Sequence, residues 1–194
     1  MAKKTARATQ YYVLDSEHDD MMLLYEPPDP SDDEGWIMGR RFATPPKEPV
    51  VVEIQEDNEE SVLLPFFGTA TLMSNEFYDA LREAGVDNLD VYEARLQSED
   101  GSVVIEGYKA FNLIGAVQAA DLSKTIFNDP TGSRLMDAGI ERLEIDPAKA
   151  RELLMFRLAE YLPAVIVHEK IKRAIEAKGF PHIVFREPSR FISL

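Results

Sequence analysis

The sequence predicts an α+β fold: a mostly antiparallel sheet carrying two short amphipathic helices in strand–helix–strand units, with an irregular acidic N-terminal region. Three observations lead there. "NEFYDALREAGVDNLDVYE" (75–93) returns as "EKIKRAIEAKGFPHIVFRE" (169–187) at a constant offset of 94 residues, so that Phe77 falls on Ile171, Ala80 on Ala174, Leu81 on Ile175, Gly85 on Gly179, Leu89 on Ile183 and Val91 on Phe185. "SEDGS" (98–102) sets Asp100-Gly101, a strong hairpin-turn dipeptide, between two strand-like runs. Prolines and carboxylates crowd the first 60 residues and thin out after them. The chain is expected to be one domain over 1–194, with a loop-rich acidic part at 1–60 and the α+β core at 61–194.

The elements follow in order. "QYYVL" (10–14) is a first strand, and 15–36 is an acidic loop broken by Pro27, Pro28 and Pro30, with a short strand at "MMLLY" (21–25). "ATPPKEP" (43–49) is an extended linker, because each proline pushes its predecessor out of the helical region. "VVVEI" (50–54) is a β-branched strand and "QEDNEES" (55–61) a charged turn. "TATLM" (69–73) is strand-like, and Ser74 caps a helix running to Ala84. Phe77, Ala80, Leu81 and Ala84 form one apolar stripe, and Gly85 stands at the left-handed C-cap position. The hairpin strands are 89–97 and 103–117. Between 121 and 139 no period is clear, and "NDPTGS" (128–133) reads as a turn. "IERLEI" (140–145) is a strand, Asp146-Pro147 opens a helical turn, and "LMFRLA" (154–159) alternates as a strand does. The second copy closes the chain: strand "AVIVH" (164–168), helix 169–178, cap Gly179 and strand "HIVF" (182–185). Each helix is only about ten residues, too short to persist alone, so packing on a sheet must hold it. Convergence on one local design explains the repeat as well as duplication would, since the matched positions are mainly those the pattern demands.

Composition narrows the chemistry. The chain is 45% hydrophobic and 29% charged, with no cysteine. That excludes disulfides, thiol nucleophiles, zinc ribbons and iron–sulfur clusters, and it fits a reducing compartment. The basic N-terminus lacks the apolar run of a secretory signal, and no apolar run approaches a membrane span, so a cytoplasmic location is expected. The net charge is −14, and residues 1–70 hold 15 acids against 6 bases, −9 of that total. Such a field repels nucleic acid and anionic membrane and steers a basic partner inward. The three histidines, His18, His168 and His182, do not form a metal motif: "HEKIK" has Lys172 where a zinc protease needs its second histidine. "DPSDDEG" has its glycine one place late for a calcium loop. Neither a phosphate-cradling loop nor a nucleophile elbow is present, and His168 reads as a cap or surface residue. No catalytic residue, cofactor or metal is therefore assigned, and the chain reads as a non-enzyme.

With these motifs placed, the chain resembles a bacterial polymorphic-toxin immunity family of myxobacterial type, earlier known as a domain of unknown function. The residues carrying the resemblance are Tyr11, Tyr12, Leu14 and Trp36; the block 72–92; Tyr108, Asn112, Ile114, Gly115 and Asp121 within 107–121; and the block 155–185 with Phe156-Arg157-Leu158. It covers the chain from Leu72 onward and only thinly before. Pro181-His182 stands where the pattern has Thr-Gly, which puts the geometry of that turn in question. The resemblance implies an antitoxin that binds a cognate toxin effector and blocks it stoichiometrically by occlusion. Two other classes stay open: a small enzyme with an unmarked carboxylate pair, and an adaptor or structural subunit of a secretion assembly. The excess acid of the N-terminal third lies in 15–20, 29–36 and 53–60. The candidate partner-binding residues are Asp29, Asp32, Asp33, Glu34, Trp36, Glu56, Asp57, Glu59 and Glu60, a carboxylate plug for a basic cleft, with Trp36 either an anchor or a core residue.

Overall fold

The computed structural model describes residues 10–56, 61–128 and 139–193. In chain order the elements are β1 (Tyr11–Ser16), β2 (Leu23–Leu24), β3 (Val50–Glu56), β4 (Phe66–Phe67), β5 (Leu72–Ser74), α1 (Asn75–Ala84), β6 (Leu89–Gln97) and β7 (Val104–Leu113). They continue as β8 (Ala116–Val117), β9 (Ile126–Asn128), β10 (Gly139–Arg142), α2 (Pro147–Ala150), β11 (Met155–Leu158), β12 (Tyr161–His168), α3 (Glu169–Lys178) and β13 (Ile183–Arg186), before a single 3₁₀ turn. The fold is the expected α+β, built on two sheets. One runs β2-β3-β6-β7-β5-β4 and the other β13-β1-β12-β11-β8, with β9 and β10 as a separate pair. Pairing is antiparallel except for β3 with β6 and β8 with β11. The first 60 residues thus supply β1 to the middle of one sheet and β3 to the other.

The repeated segments occupy equivalent places. β5 and β6 both pair antiparallel with β7, which lies between them; β12 and β13 both pair antiparallel with β1. The registers coincide. Ser74 lies opposite Tyr108 as His168 lies opposite Tyr11, and Leu89 lies opposite Leu113 as Ile183 lies opposite Ser16. The correspondence therefore reaches a third strand that the sequence match did not contain. That strand follows its unit in the first copy and precedes it in the second.

Each helix is held at both ends by its own residues. Ser74 Oγ accepts the Phe77 N–H (3.2 Å) and His168 Nδ1 accepts the Lys170 N–H (2.9 Å), satisfying first-turn donors. Gly85 (φ 104°) and Gly179 (φ 72°) end the helices in the left-handed region. Gly85 N–H reaches Arg82 O and Val86 N–H reaches Leu81 O, which closes the last turn and tucks Val86 into the core. Valine at either glycine should cost more than about 1 kcal/mol, since a β-branched residue resists this backbone. Gly85→Val should cost the more, because a Cβ there meets Leu154 Cδ1 at 3.3 Å while one at Gly179 meets nothing within 4 Å. Urea denaturation checks both, and parental midpoints would refute the strain argument. At Pro181-His182 the turn places His182 at φ 62°, a conformation that histidine enters more readily than most residues.

The stripe Phe77, Ala80, Leu81 and Ala84 is buried, as are Ile171 and Ile175, and α1 packs on α3 with the Phe77 and Phe180 rings 5.2 Å apart. Both helices share one core with Phe111 and Leu113 of β7, Leu14 of β1 and Val165 and Val167 of β12. Alternate residues point the other way. Tyr108 and Ala110 join a second core with Trp36, Val52 and Leu96, and Tyr11, Val13, Ala164 and Ile166 join a third with Ile140, Leu143 and Phe156. Each sheet is thus covered on both faces, by a helix on one side and by loop segments on the other.

Some boundaries differ from the sequence reading. The strand expected over 103–117 breaks after Leu113: Gly115 turns (φ 114°), and Ala116–Val117 crosses to the other sheet beside β11. The strand expected from 69 begins at Leu72, because Thr71 sits at φ 48°. The expected turn at 128–133 lies almost wholly outside the described residues. At the hairpin tip, the Ser102 hydroxyl (2.7 Å), the Ser102 N–H (2.9 Å) and the Ser98 hydroxyl (2.8 Å) all donate to Asp100 Oδ1. These bonds, led by that of the Ser102 hydroxyl, draw the carboxyl from 3.8 to about 2, so the turn keeps a fixed anion.

Candidate partner-binding surface

The loop between β2 and β3 carries most of the candidate residues. Six prolines between 27 and 49 remove backbone donors, so it cannot extend a sheet and is pinned by side chains instead. Trp36 is its post. The indole is 4% exposed, its Nε1–H donates to Pro28 O (3.0 Å), and its ring stands edge-on to Phe42 and Tyr92. It lies inside the second core and is no exposed anchor. Glu34 is half-buried and also works within the loop: Oε1 accepts the Ala43 N–H (2.6 Å) and Oε2 the Ser31 hydroxyl (3.4 Å). Arg40 donates to Asp33 O (2.5 Å), Asn112 donates to Arg40 O (2.7 Å), and Arg41 pairs with Asp90. Asp29, Asp32 and Asp33 are exposed, and their carboxylates enter no ion pair among the described residues.

The structure divides the candidate set. Glu56 ends β3 opposite Leu23. Trp36 instead touches Tyr92, near the Val50 end of β3, since Val50 pairs with Ala94. The two ends of β3 are about 20 Å apart at strand rise. Asp57, Glu59 and Glu60 lie outside the described residues.

The first acidic stretch, 15–20, lies at the Glu56 end: Val62 N–H donates to Asp20 O (2.7 Å) and Met22 N–H to Val62 O (2.9 Å). Arg186 of β13 reaches across to Asp15 Oδ2 (3.2 Å) and to Glu17. This pairing raises the guanidinium pKa above its ordinary value, through the Glu17 hydrogen bond first. Arg186 is a part of this surface that sequence reasoning missed, because it stands 171 positions along the chain from Asp15. Its only sequence signal is its place at the end of the second repeat.

An open hollow of about 850 Å³ lies beside β8 and is lined by Ala116, Leu122, Lys149, Arg151, Leu153 and Glu160 among others. Two of its polar groups bond to the backbone at Ala120: Lys149 Nζ donates to Ala120 O (2.7 Å), and Glu160 Oε1 accepts the Ala120 N–H (3.3 Å). Among the described residues Glu160 is the one carboxylate in its lining, and no acid pair is assembled there. Among the described residues no group of three or more His, Asp or Glu is placed to hold a metal, and no helix is long and apolar enough to cross a membrane.

Fold and surface together describe an acidic α+β protein with exposed carboxylates on a pinned loop and with open clefts. The family is explicit. The model of the immunity protein family Imm11 matches residues 3–189, and the chain belongs to that family. Comparison with curated proteins finds no match. Membership makes this an immunity protein directed against a toxin, and a cognate toxin is its implied partner.

Proposed function

We propose that the protein neutralises its toxin by binding it one to one in the cytoplasm and covering its working surface, with no chemistry of its own. The acidic N-terminal third faces a basic cleft on the toxin. One observation carries this reading: Asp29, Asp32 and Asp33 are exposed and unpaired among the described residues, on a loop that Trp36 and Glu34 hold fixed. Such carboxylates lose little conformational freedom on binding and act at long range, so they raise the association rate and barely alter the dissociation rate.

Co-expression with the product of the adjacent gene, followed by pull-down and scoring of growth rescue, tests the function. Protection that needs equimolar immunity protein supports occlusion, whereas protection by a few per cent of one equivalent would point to an enzyme. For the acidic face, Asp29→Asn, Asp32→Asn and Asp33→Asn are combined; Glu34 is spared because it holds Ala43. The association rate should fall about tenfold at low salt, and less at high salt, with an unchanged melting temperature. An association rate indifferent to both salt and the triple substitution places the interface elsewhere.

A further inference from the structure

A cleft opens between the end of β1 and the start of β2. It holds about 330 Å³, and Met22, Leu64, Phe66 and Phe67 form its apolar floor, each no more than 7% exposed. It is continuous through Ser16, Glu17 and Met21 with a polar hollow of about 640 Å³ that is walled by Glu17, His18, Asp19 and Asp20. Met21 and Leu23 stand on its lip, 42% and 40% exposed, and Tyr25 follows at 50%. Large apolar side chains grouped on a surface strand are unfavourable in water and mark a contact site. β2, with two residues, is the outer strand of its sheet.

The charge around this cleft is one-sided. Residues 8–39 contain nine carboxylates and no lysine or arginine. The cation at hand is Arg186, already engaged by Asp15 and Glu17, which shows how the site receives a guanidinium. Asp19 and Asp20 are exposed and enter no ion pair among the described residues. A second copy of a chain carrying −14 would be repelled here, whereas a basic segment is attracted.

We infer that this cleft anchors the toxin by taking a lysine or arginine side chain from a basic segment. The aliphatic stem lies on Met21, Met22 and Leu23, and the charged head lies among Glu17, Asp19 and Asp20. The inference rests on the toxin-blocking reading and adds a division of labour to it. The carboxylates of the 29–33 loop set how fast the partners meet; the cleft sets how long they stay together.

The test measures dissociation of the complex between the full-length protein and the adjacent gene's product. Asp19→Lys with Asp20→Lys should speed dissociation about tenfold or more, and Leu23→Ser several-fold, at parental melting temperature. Asp19→Asn with Asp20→Asn is the milder variant should the charge reversal disturb folding, and it should act in the same direction. Asp32→Asn with Asp33→Asn should leave the dissociation rate unchanged. A rate within twofold of the parent for the cleft variants overturns the anchor while toxin blocking stands. A parent chain that neither binds nor protects removes the toxin reading itself, and the anchor with it. A dimer in sedimentation that Leu23→Ser dissolves would give the cleft to a second copy and overturn the basic occupant.

Discussion

Leu81→Ala and Ile175→Ala should each destabilise the protein by about 2–5 kcal/mol. Leu81 is 0% and Ile175 1% exposed, both face the shared core, and the two helices are in contact. Truncation removes buried methyl groups and leaves a space that two helices clamped between capped ends close only in part. Because both side chains belong to one cluster, the double variant should depart from additivity by roughly 0.5–3 kcal/mol. Urea denaturation of the parent and three variants measures this. Single variants with the parental midpoint would mean that the repeated helices do not carry the core.

The second large effect has the opposite sign: Arg157→Met should raise stability by about 1–3 kcal/mol. Arg157 is fully buried on β11, with Nη1 donating to Leu162 O (3.0 Å) and the guanidinium 5.8 Å from the Phe111 ring centroid. Nε and Nη2 find no hydrogen-bond partner, and no carboxylate pairs with it among the described residues. Burial alone draws its pKa from the ordinary guanidinium value down to about 10. A cation whose folded pKa lies below its unfolded one weakens the fold at every pH below about 10, and that penalty fades only as the pH climbs from there towards the ordinary guanidinium value. The gain from methionine should therefore be flat between pH 5 and 9. Methionine keeps most of the side-chain volume without the charge, while Arg157→Ala opens a cavity and should destabilise. A loss of more than about 1 kcal/mol in Arg157→Met would show that the ring contact and the Leu162 hydrogen bond outweigh desolvation.

Arg157 also marks where sequence patterning stops. "LMFRLA" alternates like a half-exposed strand, yet all four residues of β11 are buried, because a helix-side core covers one face of that sheet and the residue 140–150 segment the other. Periodicity reports which residues share a face and not whether the second face is wet. Features encoded within a few residues were legible: the cap at Ser74, the stripe to Ala84, the glycines at 85 and 179, and the turn at Asp100. Features assembled from distant segments were not. The cleft joins 15–24, 64–70 and Arg186, and no linear window contains it. The acidic stretches were visible as charge, but only coordinates separate a carboxylate free for a partner, such as Asp32, from one occupied at home, such as Glu34.

The displaced position of the third strand sets an order of assembly. The first unit, β5 to β7, is contiguous over residues 72–113 and can close as soon as that stretch leaves the ribosome. The second keeps its central strand at the start of the chain, and 144 residues separate Ser16 from Tyr161. At ordinary synthesis rates β1 waits roughly 7–30 s for its neighbours, with both edges unpaired and open to wrong partners. The final strand is a latch: a product ending before Ile183 has no β13, leaves one edge of β1 bare, and lacks Arg186 to neutralise Asp15 and Glu17. Pairing of β1 along both edges thus waits for β13, and a polypeptide that stops before that strand cannot present the finished cleft.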